Sequence, residues 1–130
     1  MEDLYLDDLA ENTGWAFSEW AEAGVNMHDA VTEYMKSDYR YYADKRYAVE
    51  STEMWYEQKK HFNYTSGNFK YDSILCEWLG QFYTVIQSKT GKLSRDLIDI
   101  LPFDKMYVLS RTLHDLDMDL AVDRVIKTLD

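Results

Sequence analysis

Residues 72–91 read DSILCEWLGQFYTVIQSKTG, and this stretch decides the fold. Its apolar side chains recur at helical spacing over more than half of the circumference, and Gly91 follows where a helix is expected to end. A helix that is apolar over so much of its surface has to be buried. We therefore predict a central helix near residues 72–90, capped by Asp72 or Ser73. Its predicted inner face is Ile74, Leu75, Trp78, Leu79, Phe82, Val85 and Ile86.

Three shorter helices are predicted after the central one. Ser94 is placed to cap the first of them, and Pro102 ends that helix and opens the next. Asp117 is placed to cap the last helix. The residues predicted to face inward are Leu97, Ile98, Leu101, Met106, Leu109, Leu113, Leu120, Ala121, Val125 and Leu129.

Two helices are predicted before the central one. The first runs from about Leu4 to Ala23, and Gly14 in its middle predicts a bend or a close helix contact. The second is capped by Asn26 and continues to about Tyr42. Residues 38–47 either prolong it or form a turn before a short helix near residues 52–60, and residues 61–70 resemble a loop.

The periodicity is helical almost throughout, and Pro102 is the only proline. We predict a compact all-α domain over residues 1–130, with six to seven short-to-medium helices. Within it, residues 1–35 form an acidic helical segment and residues 72–130 supply the core helices. A chain of 130 residues with 46% hydrophobic composition can bury such a core without a metal or a disulfide.

Net charge is −10 and the pI is about 4.6. Such a charge disfavours direct binding to nucleic acid or to an anionic membrane. The single cysteine excludes an internal disulfide and fits a reducing compartment. The opening MEDLYLDDL lacks the basic start of a signal peptide, and no apolar stretch is long enough to span a bilayer. We therefore expect a soluble cytoplasmic protein.

The charge is concentrated at the start of the chain. The first thirty-five residues carry nine carboxylates and no Lys or Arg, together with Trp15, Phe17, Trp20 and Tyr34. Unpaired like charges repel one another at helical spacing, so a uniformly acidic helix needs a reason. The plainest reason is a basic partner protein.

A second candidate surface follows at residues 38–56, where tyrosines alternate with cations. Tyr, Trp and Arg are the residue types enriched at binding hot spots. The alternative is that half of the rings complete the core while Arg40 and Arg46 pair with the acidic first helix. The predicted partner-binding residues are Asp7, Asp8, Glu11, Trp15, Glu19, Glu22, Tyr39, Arg40, Tyr41 and Trp55.

No catalytic or metal-binding motif is evident. The run HDLDMDL imitates the start of a calcium loop, but Leu120 and Ile126 occupy positions that require Gly and Glu. Asp117 is better explained as a helix cap. We predict no catalytic residue, metal or cofactor, and no enzymatic activity. A small enzyme with a site near Cys76, His61 or His114 is the competing class.

Three segments carry a family resemblance: MKSDYRYYADKRY (35–47), YDSILCEWLGQFYTVIQ (71–87) and LSRDLIDILPFDKMYVLSRTLHDLDMDLAVDRVI (93–126). They resemble small uncharacterised helical proteins of Firmicutes and gut bacteria that are associated with toxin–antitoxin-like operons and mobile elements. The resemblance implies neutralisation, immunity or counter-defence carried out by binding, and it carries over no active site. The acidic first thirty residues lie outside it.

Two binding functions are therefore open. The first is a non-enzymatic inhibitor or antitoxin-like neutraliser whose carboxylates steer it to a basic partner and whose aromatic residues anchor the complex. The second is an anti-CRISPR-type nucleic-acid mimic, which would compete directly with DNA or RNA for its effector. A self-associating module that uses the aromatic cluster is a further alternative.

Overall fold

The computed structural model describes residues 3–46, 62 and 64–129. Within these residues the chain forms seven helices and no strand, which confirms the all-α prediction of six to seven helices. The helices are α1 (Leu4–Glu22), α2 (Met27–Lys36), α3 (Asp38–Lys45), α4 (Ser73–Thr90), α5 (Ser94–Ile100), α6 (Phe103–Leu113) and α7 (Met118–Ile126).

Helix α4 is the predicted central helix, and it packs against α1, α5, α6 and α7. Asp72 caps its N-terminus through a side-chain oxygen. Gly91, whose backbone is left-handed, follows its last residue. The buried face is centred on Leu79, Phe82 and Ile86. Ile74 was predicted to face inward but is exposed. At about 100° per residue it lies about 140° around the helix from Leu79, outside the buried face.

Helices α1 and α4 cross in close contact at a pair of glycines. A Cβ atom on Gly80 would lie 2.7 Å from the Cα of Gly14, and one on Gly14 would lie 2.8 Å from the carbonyl oxygen of Glu77. Contacts this short leave no room for a side chain. The close helix contact predicted at Gly14 is therefore confirmed, and it fixes the separation of the two longest helices.

The second helix ends earlier than predicted. Ser37 interrupts it after Lys36, because its Oγ accepts a hydrogen bond from the backbone N–H of Arg40 and so caps a new helix. Residues Asp38–Lys45 therefore form α3 instead of prolonging α2 to Tyr42. The helix predicted near residues 52–60 lies outside the described residues.

A buried charged residue joins five helices. The guanidinium of Arg40 in α3 is fully buried, and its five hydrogen bonds of 3.0–3.1 Å reach α1, α2, α3, α4 and α5. Burial by itself would lower the pKa of Arg40, but Tyr34 and Asp44 raise it above its ordinary value, so the charge is kept. The accepting side chains are Thr13, Tyr34, Asp44, Thr84 and Ser94. We call these residues and Arg40 the buried polar hub.

The carboxylate of Asp44 balances this charge. Its side chain is 1% exposed, and its Oδ1 lies 3.0 Å from Arg40 Nε. Ser94 donates to the same carboxylate from its hydroxyl (2.9 Å) and from its backbone N–H (2.7 Å). Ser94 was predicted to cap α5, but the N-cap residue is Leu93, because the Ser94 side chain is used in the buried polar hub.

Pro102 and Asp117 occupy the N-cap positions of α6 and α7, as their sequence positions suggested. Neither cap makes a side-chain hydrogen bond. Leu109 in α6 and Leu120 in α7 were predicted to face the core but are 38% and 47% exposed. Among the described helices, none is both long and apolar enough to cross a membrane.

Candidate functional site

A wide groove runs between α1, α4 and α7 and has a volume of about 850 Å³. Helix α1 contributes Asp7 and Glu11, two of the acids predicted from the sequence to bind a partner, and the fold brings further acids beside them from α4 and from residues 117–123. Asp8, also predicted, does not line this groove. The described residues that line the groove include six carboxylates: Asp7, Glu11, Glu77, Asp117, Asp119 and Asp123. We call this surface the acidic groove.

The acidic groove also has an apolar lining. Trp15 is partly exposed and lines the groove, and the exposed side chain of Leu120 lines it as well. Apolar surface beside the charges allows a partner to gain from burying its own apolar groups. The remaining apolar residues of the lining are Leu6, Ala10, Val85 and Met118.

A second depression of about 390 Å³ continues this surface along α1. It is lined by Trp15, Ser18, Glu19 and Glu22. Trp15 lines the acidic groove as well, so the two depressions adjoin at this residue. The acidic surface therefore extends along most of the length of α1.

Most of the acids on α1 have no ion-pair partner among the residues that the structure describes. Asp7, Asp8, Glu11 and Glu22 form no ion pair with any described residue. Asp3 differs, because its carboxylate accepts two hydrogen bonds from Arg46 (2.6 and 3.2 Å), which lower its pKa. The predicted pairing of Arg46 with the acidic N-terminal segment is thus observed, while the corresponding pairing of Arg40 is not.

Lys89 is the one cation among the described lining residues of the acidic groove. Its Nζ lies 3.1 Å from Asp119 Oδ1 and 3.4 Å from Asp123 Oδ1, and the hydrogen bond to Asp119 raises its pKa. The lysine bridges α4 to α7 and neutralises part of the acidic wall. The end of the groove formed by α1 has no such counter-ion among the described residues.

The structure separates the aromatic residues of the predicted site from the acidic ones. The prediction that Arg40 contacts a partner is wrong, because its side chain is fully buried in the polar hub. Tyr39 packs against Tyr34 and Phe62 at the edge of the core. Tyr41 is partly exposed, but Arg95 covers its ring at 4.5 Å from the centroid. Trp55 lies outside the described residues.

Two of the three residues named for a competing enzymatic site, Cys76 and His114, lie within the described residues. Cys76 is fully buried, and burial raises the pKa of its thiol to about 12, so it stays protonated at neutral pH. His114 is partly exposed, with Nδ1 placed 2.9 Å from the carbonyl oxygen of Ser110. His61 lies outside the described residues.

Within the part of the chain that the structure describes, no three His, Cys, Asp or Glu side chains are grouped to hold a metal ion. Comparison with protein families, with curated proteins and with solved structures gave no match. The site therefore has to be interpreted from its own geometry and charge.

Sequence reasoning found the α1 side of the acidic groove and missed the other side. Asp7, Glu11 and Trp15 line it as predicted residues, whereas Glu77, Asp119 and Asp123 were not selected. The alternating acids of residues 115–119 were noticed but explained as a calcium-loop imitation or a helix cap. Only the packing of α7 against α4 places Asp117 and Asp119 in the groove opposite α1.

Proposed function

We propose that this chain is a non-enzymatic acidic binding protein that neutralises a basic partner protein through the acidic groove. In this proposal it acts in the bacterial cytoplasm as an inhibitor or antitoxin-like protein, the context implied by its resemblance to small proteins of mobile elements. No cofactor takes part. The observation that carries the proposal is the concentration of six carboxylates and apolar side chains in one groove of about 850 Å³.

Unbalanced charge in the acidic groove supports the proposal. Like charges brought together on one surface repel one another and destabilise the folded chain. The buried polar hub shows that this protein pairs charges where stability requires it. In the acidic groove, Asp7 and Glu11 have no ion pair with the described residues. A cationic partner would remove the repulsion and would be steered toward the groove.

Trp15 supports the second part of the mechanism, which is anchoring. Electrostatic attraction between exposed groups speeds encounter more than it holds a complex together, so desolvated apolar contacts must supply most of the affinity. Trp15 joins the two acidic depressions and exposes part of its ring to both. A basic segment that places an apolar side chain against Trp15 would have its cations within reach of carboxylates on either side.

Two synthetic peptides test this proposal: an amphipathic helix made of Lys and Leu, and a matched helix made of Glu and Leu. We expect saturable binding of the Lys peptide, detected by quenching or shift of tryptophan fluorescence, and no binding of the Glu peptide. Affinity should fall about tenfold or more between roughly 0.05 and 0.5 M salt, because screening shortens the reach of exposed charges.

Two charge-matched double variants locate the binding surface. Asp7→Asn with Glu11→Gln removes two charges from the acidic groove, and Glu33→Gln with Asp96→Asn removes two exposed charges from outside it. The first pair should lower the affinity for the Lys peptide about fivefold or more, whereas the control pair should change that affinity by less than about twofold. Equal effects of the two pairs, or an affinity that does not change with salt concentration, would show that the acidic groove is not the specific binding site of the Lys peptide.

Trp15→Ala tests the anchor separately from the charge. We expect weaker binding of the Lys peptide with an unchanged dependence on salt, because the number of charges stays the same. Trp78 remains in this variant as a fluorescent reporter, and calorimetry gives an independent affinity. Direct binding of double-stranded DNA to this chain, measured without the peptide, would contradict the proposed class of partner and is not expected at a net charge of −10.

A further inference from the structure

A second cleft lies on the other side of α7. Helices α6 and α7 both pack on α4 but make few contacts with each other, and a slot of about 250 Å³ remains between them. Leu101, Met106 and Val125 are buried residues at its base. Leu109 lines the slot as well, and this is why it is 38% exposed although the helical pattern predicts a core position.

The charge of this slot is opposite to that of the acidic groove. Lys105 and Arg124 line it, and no carboxylate does so among the described residues. Neither cation forms an ion pair with a described residue. Acids outnumber bases in this protein, whose net charge is −10. The described lining of the slot reverses that balance, with two cations and no acid.

The two cations lie at the same end of the slot. Lys105 lies in the first turn of α6 and Arg124 in the last turn of α7, so both are far along the chain from the connection at residues 114–117. The apolar lining runs from residues beside the cations to Leu109 and Leu113, which lie closer to that connection. The slot therefore has both cations at one end and apolar side chains along its length, and a ligand with an anionic head and an aliphatic chain suits this arrangement.

We propose that the slot between α6 and α7 binds a monomeric fatty acid, with the chain between the helices and the carboxylate at Lys105 and Arg124. An apolar cavity of about 150 Å³ holds a benzene molecule, so 250 Å³ suits a single chain of roughly ten carbon atoms. An α-helix, about 10 Å across, is too wide to enter such a space. The negative charge of the whole chain disfavours an anionic membrane as the source of the ligand.

Calorimetric titration with octanoate, decanoate and dodecanoate, each below its micelle concentration, tests the proposal. Each added methylene should tighten binding about fourfold, until the chain outgrows the slot. Decanol should bind more weakly than decanoate, and decyltrimethylammonium, which the acidic groove can attract, should not displace decanoate. Absence of saturable decanoate binding, equal affinities of decanoate and decanol, or displacement of decanoate by decyltrimethylammonium overturns the proposal.

Variants assign the binding to the slot. Lys105→Met with Arg124→Met should lower the affinity for decanoate about fivefold or more. The affinity for decanol should be retained, because methionine keeps an apolar stem at both positions. Lys70→Met with Lys92→Met removes two exposed cations elsewhere and should leave decanoate binding unchanged. Leu109→Glu places a carboxylate in the slot and should abolish decanoate binding.

A surface for an acidic protein segment is the competing occupant. If the Glu and Leu peptide binds and is lost in the Lys105→Met and Arg124→Met variant, while decanoate neither binds nor competes, the slot is a protein-docking surface and the fatty-acid proposal is wrong. The acidic groove shares no lining residue with the slot. The result with decanoate is therefore independent of the result with the Lys peptide.

Discussion

The buried polar hub and the acidic groove treat charge in opposite ways. In the hub, Arg40 makes five hydrogen bonds and its charge is balanced by Asp44, whose side chain is 1% exposed. In the acidic groove, six carboxylates meet one described cation, Lys89. Helix α1 contributes to both regions, with Thr13 in the hub and Glu11 in the groove.

The comparison shows that unbalanced charge is a feature of the acidic groove and does not extend to the buried polar hub. An unbalanced charge in the interior costs several kcal/mol, so the hub has to be fully paired. Exposed carboxylates are solvated and screened, so an acidic surface is tolerated at small cost. Breaking each region in turn should therefore change stability in the hub and binding in the groove.

Arg40→Met should have the largest effect on stability. It leaves the buried carboxylate of Asp44 without its cation, and loss of one partner of a buried ion pair costs about 3–5 kcal/mol. Urea unfolding measures the change. Arg95→Met is the matched control. The Arg95 side chain is partly exposed and lies 3.9 Å from Asp38, so its loss should cost less than about 1 kcal/mol.

The double variant Arg40→Met with Asp44→Leu sharpens this test. Removing both charges eliminates the uncompensated carboxylate, so part of the lost stability should return. Recovery will be incomplete, because Thr13, Thr84 and Ser94 lose a hydrogen-bond partner in the interior. A loss below 1 kcal/mol for Arg40→Met alone would show that the buried polar hub does not hold the five helices together.

Gly80→Ala should affect the hub and the acidic groove together. The new Cβ would lie 2.7 Å from backbone atoms of Gly14, so α1 must move away from α4. Overpacking of this kind costs about 1–3 kcal/mol, more than the ~1 kcal/mol that alanine gains in helix propensity. Ser88→Ala, at an exposed position of the same helix, is the control and should be neutral or slightly stabilising.

The buried thiol of Cys76 should give a smaller, pH-dependent effect. Its folded-state pKa of about 12 lies above the unfolded value of about 8.5, so the fold favours the protonated form. Its contribution is fully present below about pH 8.5 and is lost as the pH rises toward 12. Between these values, stability should fall up to about 1.4 kcal/mol per pH unit faster in the wild type than in Cys76→Ala.

Comparison with Cys76→Ala is needed because buried tyrosines also titrate at high pH. Burial raises the pKa of Tyr83 above its ordinary value, but this residue is present in both proteins and cancels in the difference. Parallel stability curves for the wild type and Cys76→Ala between pH 9 and 10 would contradict the burial of the thiol.

Neutralising the acidic groove should have the smallest effect on stability. Asp7→Asn with Glu11→Gln should leave the free energy of unfolding within about 0.5 kcal/mol of the wild type, with a small increase at low salt. The increase should vanish in high salt, because it arises from relief of repulsion between exposed charges. A loss above 1 kcal/mol would mean that these carboxylates stabilise the fold and are not reserved for a partner.

The helices were predictable where apolar periodicity and caps agreed. The central helix was predicted near residues 72–90 and is Ser73–Thr90, because a wide apolar stripe, Asp72 and Gly91 all indicate the same element. The break at Ser37 was missed, since its cap competes with a helical pattern that continues through it. Leu109 and Leu120 were placed in the core by spacing alone, yet they line the two clefts.

The candidate site was predictable only in part. The density of carboxylates in residues 1–35 identified the α1 side of the acidic groove without any knowledge of the fold. Burial of Arg40 was not predictable, because an arginine among tyrosines is compatible with an interface hot spot and with a buried hub. The choice between them depends on whether five acceptors from distant segments surround the guanidinium.

By itself, the sequence determined the all-α class, the central helix and the excess of acid near the start of the chain. These are local quantities, fixed by the spacing of apolar residues and by the charges within one segment. Tertiary structure decided which charges are paired and which face solvent. Glu11 and Asp123 line one groove, and Arg40 reaches Ser94, only because distant helices pack together, and no local pattern records that arrangement.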